Sequence, residues 1–151
     1  MNRIILLIGF IPISALIGKI LAQKYTDKRI FLEDFLFFLT LLENEVNFSQ
    51  NDLFVVIEKL PKRDFYKYAL NELNLSNQKS KFVTNKEEPF YNKFFLSLGK
   101  IDKYSQKDSI EELKSHLKIF YDTAKKTEET NASLYFKLGI LIGIMIFILL
   151  I

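Results

Sequence analysis

Cysteine and tryptophan are both absent from the 151 residues, and the chain carries one histidine, three prolines and five glycines. Without cysteine there is no disulfide, no thiolate metal ligand and no cysteine nucleophile. The lone His116 stands in no His-x-His or His-Glu-x-x-His arrangement, so a metal site is not expected. A catalytic triad around it is not expected either, because no nucleophile elbow is present. Four of the glycines (Gly9, Gly18, Gly139 and Gly143) fall in apolar runs, which leaves no glycine-rich phosphate loop. The net charge of +3 comes without a basic stripe interleaved with stacking aromatics, which argues against nucleic acid as a partner. The expectation is a non-enzyme with no cofactor and no metal.

Charge is also missing from two stretches, residues 4–18 and everything after Lys137. A helix needs roughly 20 residues to cross the hydrocarbon core of a bilayer. Residues 4–22 and 134–151 both suit that length, and each is interrupted by one lysine, Lys19 and Lys137, near the end facing the middle of the chain. A lysine so placed can snorkel to the interface, and Tyr25, Tyr135 and Phe136 are positioned as interfacial anchors. Lys19, Lys24, Lys28, Arg29, Lys125, Lys126 and Lys137 flank the spans on the middle-domain side, against Arg3 alone on the other. The excess of positive charge predicts a cytoplasmic middle domain with both termini across the membrane. A cleaved signal peptide is the competing reading of the first run, but no A-x-A-like cleavage site is present. The organisation read from the sequence is an N-terminal anchor over 1–23, a cytoplasmic helical bundle over 24–133, and a C-terminal anchor over 134–151.

Between the spans the apolar spacing is helical throughout. Ile30, Phe31, Phe35, Phe38, Leu39, Leu42 and Val46 recur at threes and fours on one face. Phe37 and Leu41 broaden that face, which predicts burial on more than one side and a helix end near Phe48. Ser49 or Asn51 can cap a short helix over 52–60, which Pro61 stops, and a third helix is predicted over 62–73. Residues 74–88 read as a loop with a turn around Phe82. Pro89 and Gly99 bracket a helix over 90–98 in the expected order. Ser105, with Asp108 three residues on, reads as a weak capping box opening a last helix. Its stripe is Ile110, Leu113, Leu117, Phe120 or Tyr121, and Ala124, and no proline or glycine interrupts it before Gly139. No apolar–polar alternation persists and no Asn-Gly turn pair occurs, so the expected class is all-α. Most of the fifteen phenylalanines are expected in the core.

Three short motifs carry a family resemblance. The first is Leu42-Glu43-Asn44-Glu45-Val46 at a helix end after Arg29; the second is Leu98-Gly99-Lys100-Ile101-Asp102 with Gln106 following. The third is a long helix entering an apolar span with Tyr135, Leu138-Gly139 and Gly143. In this order they resemble the stage III sporulation protein AB family of endospore-forming Firmicutes. Asn51-Asp52-Leu53 departs from that family's usual proline-leucine pair.

The resemblance implies a helical bundle similar to the cytoplasmic domains of the type II secretion and type IV pilus platform protein. It also implies a place in the mother cell–forespore channel, in the mother-cell membrane around the forespore, beside a secretion-type ATPase. Glu43, Glu45, Asp102 and Gln106 are then the candidates for partner contact, with Leu98 and Gly99 structural. Gly139 and Gly143 form a G-x-x-x-G pair suited to packing against the first span or to self-association. The alternative is a stand-alone two-span protein, regulatory or pore-forming, that oligomerises through its spans.

Overall fold

The computed structural model describes residues 2–44, 50–74 and 80–150. Five α-helices follow one another: α1 Asn2–Asn44, α2 Gln50–Glu58, α3 Asp64–Leu73, α4 Glu88–Ser97 and α5 Lys103–Leu150. No strand occurs among the described residues. The chain divides into two compact units, Ile30–Tyr121 and the pair of segments Met1–Arg29 with Asp122–Ile151. The long helices α1 and α5 contribute to both.

The unit Ile30–Tyr121 is built on an aromatic core. Phe31, Phe35 and Phe38 of α1 are buried, with Leu32, Leu39 and Leu42 beside them. Phe35 stacks on Phe65 of α3 at 4.6 Å between ring centroids and meets Tyr91 of α4 edge-on at 5.0 Å. Phe38 stacks on Phe95 at 6.2 Å, and Tyr68 meets Phe95 edge-on at 5.8 Å. Offset and edge-to-face contacts in this range add to the apolar burial that holds the helices together. Ile110, Leu113 and Leu117 bring α5 to the same core, on the stripe its spacing predicts.

The connections are held as firmly as the helices. After α2, Lys59 and Leu60 donate their amides back to Val56 and Ile57, and Pro61 ends the run. The segment from Ser80 to Glu87 folds through tight turns that push Phe82 into the core, stacked on Phe31 at 5.4 Å. Glu87 Oε2 accepts the Thr84 amide at 2.8 Å ahead of α4, whose second residue is Pro89. Gly99 follows α4 at φ 71°, a left-handed conformation that glycine adopts without steric cost.

Four expectations are corrected. The apolar run 4–22 and the first bundle helix lie on one continuous helix, α1, with Pro12 inside it. The expected end at Phe48 and the caps at Ser49 and Asn51 fall on residues whose placement or side chains lie outside the described residues. Phe37 is 46% exposed and Leu41 only half-buried, so α1 has one core face in this unit. The third helix begins at Asp64, because Arg63 still has extended backbone. The cap of α5 is Asp102 and not Ser105: Asp102 Oδ1 accepts the amides of Tyr104 and Ser105 at 3.0 and 3.1 Å. Ser105 instead donates its hydroxyl to Asp102 Oδ2 at 2.5 Å.

Phe35 touches rings from α1, α3 and α4, so Phe35→Ala should lower unfolding free energy by about 3–5 kcal/mol. Denaturant titration of the detergent-solubilised chain, followed by circular dichroism, measures it.

Candidate functional site

Two regions hold the residues that the sequence singles out. The first is the two-helix unit. Gly18, Gly139 and Gly143 are buried in it, while Leu16, Ile17 and Ile20 of α1 and Leu141, Met145 and Ile148 of α5 are exposed. Small residues inside and large apolar residues outside is the reverse of a water-soluble pair. It lets the two helices associate by close backbone approach, with the large apolar side chains left on the outside.

The approach is at backbone contact. A β-carbon on Gly18 would lie 2.6 Å from the Tyr135 carbonyl oxygen, and one on Gly139 would lie 2.7 Å from the Ser14 carbonyl oxygen. Each glycine therefore faces a carbonyl of the other helix, the geometry of weak Cα–H···O contacts. Ser14, Gly18 and Ala22 repeat at four-residue intervals on α1, so the partner of Gly139 is a small-residue stripe and not a single glycine. The G-x-x-x-G motif was legible in α5; its counterpart was not, since serine and alanine disguise the pattern.

Above the glycines, Tyr25 stacks on Tyr135 at 5.8 Å, and Lys24 Nζ lies 4.9 Å and 5.7 Å from the two ring centroids. Arg29 Nε then donates to Glu128 Oε2 at 2.5 Å. α5 is long and apolar enough to cross a membrane, and little of its apolar stretch is buried against the rest of the chain.

The second region is the polar surface of the unit Ile30–Tyr121. Glu43 Oε2 accepts from Lys114 Nζ at 2.6 Å. The Lys114 hydrogen bond and charge, with Lys107 nearby, hold the Glu43 carboxyl below its usual range. Its negative charge is thus already matched by α5. Glu45, the other half of the acidic pair, lies outside the described residues. Asp102 is exposed and its carboxyl is lowered, first by the Ser105 hydroxyl and then by the backbone amides it caps. Gln106 lies one turn further on, buried, and its amide reaches the Asp102 carbonyl at 2.9 Å. Its Nε2 has no hydrogen-bond partner. His116 lies half-buried against Phe90, ring to ring at 4.7 Å.

Sequence reasoning missed Asp34. It sits on the core face of α1, buried, between Phe31 and Phe35 in sequence, where the helical period offers an apolar site. Arg63 Nη1 is 3.5 Å from Oδ1, and Oδ2 has no partner. Burial raises its pKa; Arg63 opposes the rise and Glu33 adds to it. The same cause, loss of water, pushes the phenols of Tyr68 and Tyr91 far above their ordinary range, with acidic neighbours Glu72 and Glu87 assisting.

Two expectations follow. Gly18→Ala and Gly139→Ala should each destabilise the two-helix unit by about 1–3 kcal/mol through overpacking. The double variant should cost less than their sum, because one separation of the helices accommodates both new methyls. Thermal melts of the full chain in detergent read this directly.

For Asp34, a carboxyl raised in the folded state stabilises fully below its unfolded value of 3.8, and that contribution disappears as pH rises through the raised value. Asp34→Asn should therefore raise the melting midpoint at neutral pH and lose that advantage near pH 3.8, which melts across the acid range test.

The family model for stage III sporulation protein AB matches residues 62–151, taking in α3, α4 and all of α5. The Leu98–Gln106 and Leu138–Gly143 motifs fall within the match, and the Leu42–Val46 helix end falls before it. No curated protein and no solved structure matches the chain. Matched over more than half of its length, the chain belongs to the stage III sporulation protein AB family and is a sporulation-related protein.

Proposed function

We propose that this protein is a non-catalytic platform component of the mother cell–forespore channel or of a secretion-type complex in endospore formation. In this reading α1 and α5 both cross the membrane, and the unit Ile30–Tyr121 is the cytoplasmic domain on which a secretion-type ATPase docks. The observation that carries the two-span part is the inverted packing of the two-helix unit, glycines at backbone contact within and leucine and isoleucine outside; the docking part rests on the family resemblance. Lipid is the surrounding that makes such a pair stable, and seven Lys and Arg residues flank it on the side of the middle domain. Family membership supplies the setting in sporulation.

The structural observations favour this over a span-driven oligomer, because the Gly139 seam is occupied by Ser14 and Gly18 of the same chain. The acidic end of α1 remains the docking candidate, with Glu43 held toward α5 by Lys114.

Capture of candidate cytoplasmic ATPases by the detergent-extracted chain tests the docking. Glu43→Lys with Glu45→Lys should lower capture about tenfold, since like charges set against each other oppose association by a kilocalorie or more. Adding Lys114→Glu rebuilds the intramolecular pair with reversed sign. Capture that stays low confirms an interface effect, and capture that returns assigns the loss to the fold. Undiminished capture in the first variant removes the acidic patch from the proposal.

A further inference from the structure

Two cations of the two-helix unit, Lys19 and Lys137, have no acidic residue within two helical turns along their own helices. From residue 1 to Thr26 the sequence contains no aspartate or glutamate, and none follows Glu129. Lys19, Lys24 and Lys137 therefore lie on the membrane side of every carboxylate side chain in the unit. The nearest acidic residues along the helices are Asp27, one turn beyond Lys24, and Glu129, while Glu128 pairs with Arg29.

The depth of these lysines is fixed by the packing. A β-carbon on Gly18 would lie 3.4 Å from the Phe136 Cα, so Lys19 and Lys137 each stand one residue from the same contact point on their helices. Both are exposed. Lys24 is drawn over the stacked Tyr25 and Tyr135 rings, which face the lysine with their electron-rich surfaces and are themselves suited to the interface. Counted around each helix at 100° per residue, Lys19 and Lys24 leave α1 on opposite flanks of the Gly18 seam. Lys137 leaves α5 on the side away from it. The three form a collar and not a pocket.

Resting on the two-span reading above, we propose that this collar binds the phosphates of anionic phospholipids in the leaflet at the Tyr25–Tyr135 end of the helix pair. Since neither helix offers Lys19 or Lys137 an acidic neighbour, an anion from outside the chain is their natural complement, and at the depth where apolar surface gives way to charge that anion is a lipid phosphodiester. Zwitterionic headgroups carry their own cation and satisfy the collar less well. A lipid enriched around these helices would also fix their depth, with the Tyr25–Tyr135 pair at the level of the glycerol backbones.

The full chain reconstituted in vesicles of phosphatidylcholine with phosphatidylglycerol, then extracted gently and examined by native mass spectrometry, tests this. Wild type should retain phosphatidylglycerol in preference to phosphatidylcholine. Lys19→Gln, Lys24→Gln and Lys137→Gln should each reduce that preference about five-fold, the equivalent of ~1 kcal/mol per basic residue near the surface. Lys62→Gln with Lys67→Gln, a loss of two charges in the other unit, should leave it unchanged. Equal retention of the two lipids by wild type, or an undiminished preference in the triple collar variant, overturns the proposal. So does displacement of the lipid by soluble glycerol 3-phosphate, which would mark a site for free phosphate. Alkaline carbonate washing separates the two readings: a chain that stays embedded without lipid preference refutes the collar alone. A chain that washes off refutes the two-span reading and the collar with it.

Discussion

Two helices can touch backbone to backbone only where neither carries a side chain at the crossing. Gly18 and Gly139 meet that condition, and the order of everything else in their unit depends on it. With the glycines in contact, Tyr25 and Tyr135 come within stacking distance, and Arg29 meets Glu128 further along. These contacts differ in kind, from weak carbon-donor contacts through aromatic stacking to a hydrogen-bonded ion pair. Along the pair they run from the apolar stretch around the glycines to the charged residues beyond the tyrosines, the contacts growing more polar as the sequence does.

The other unit solves a different problem by a different route. It is assembled from three short helices and parts of two long ones, and short helices are marginal by themselves. Its stability comes from interlocked rings contributed by α1, α3, α4 and the Ser80–Glu87 connection. Placing a carboxylate in such a core is costly, and at Asp34, with its unpartnered oxygen, α1 forgoes packing for a charge. Arg63 compensates only in part, being itself mostly in solvent at the start of α3.

Much of this was legible in the sequence where a local rule and the tertiary environment agree. The stripe Ile110, Leu113, Leu117 has a single apolar face, so periodicity alone placed it. Pro89 and Gly99 act through their own backbone restrictions, and those hold whatever surrounds them. Where two residues compete for one role, the sequence was silent. Asp102 and Ser105 both make good caps, and the carboxylate, with two acceptor oxygens and a charge, takes the helix amides while the serine serves it. Phe37 is apolar at a plausible spacing, yet exposure is decided by which neighbours arrive. The pairing of Glu43 with Lys114 is likewise a long-range fact, invisible in either helix alone, and it changes what Glu43 can offer a partner.

The seam between α1 and α5 also has a bearing on how the protein is made. Ser14, Gly18 and Ala22 leave the ribosome long before Gly139 exists, because the whole of the Ile30–Tyr121 unit is encoded between them. During that interval α1 waits with its small-residue stripe uncovered. Closing so long a loop adds little to the final entropy cost but slows the step in which the two ends meet. The rings of the aromatic core, from Phe31 to Phe95, are by contrast all made before Gly139, so the contacts of one unit are complete in sequence before the seam of the other has its second half.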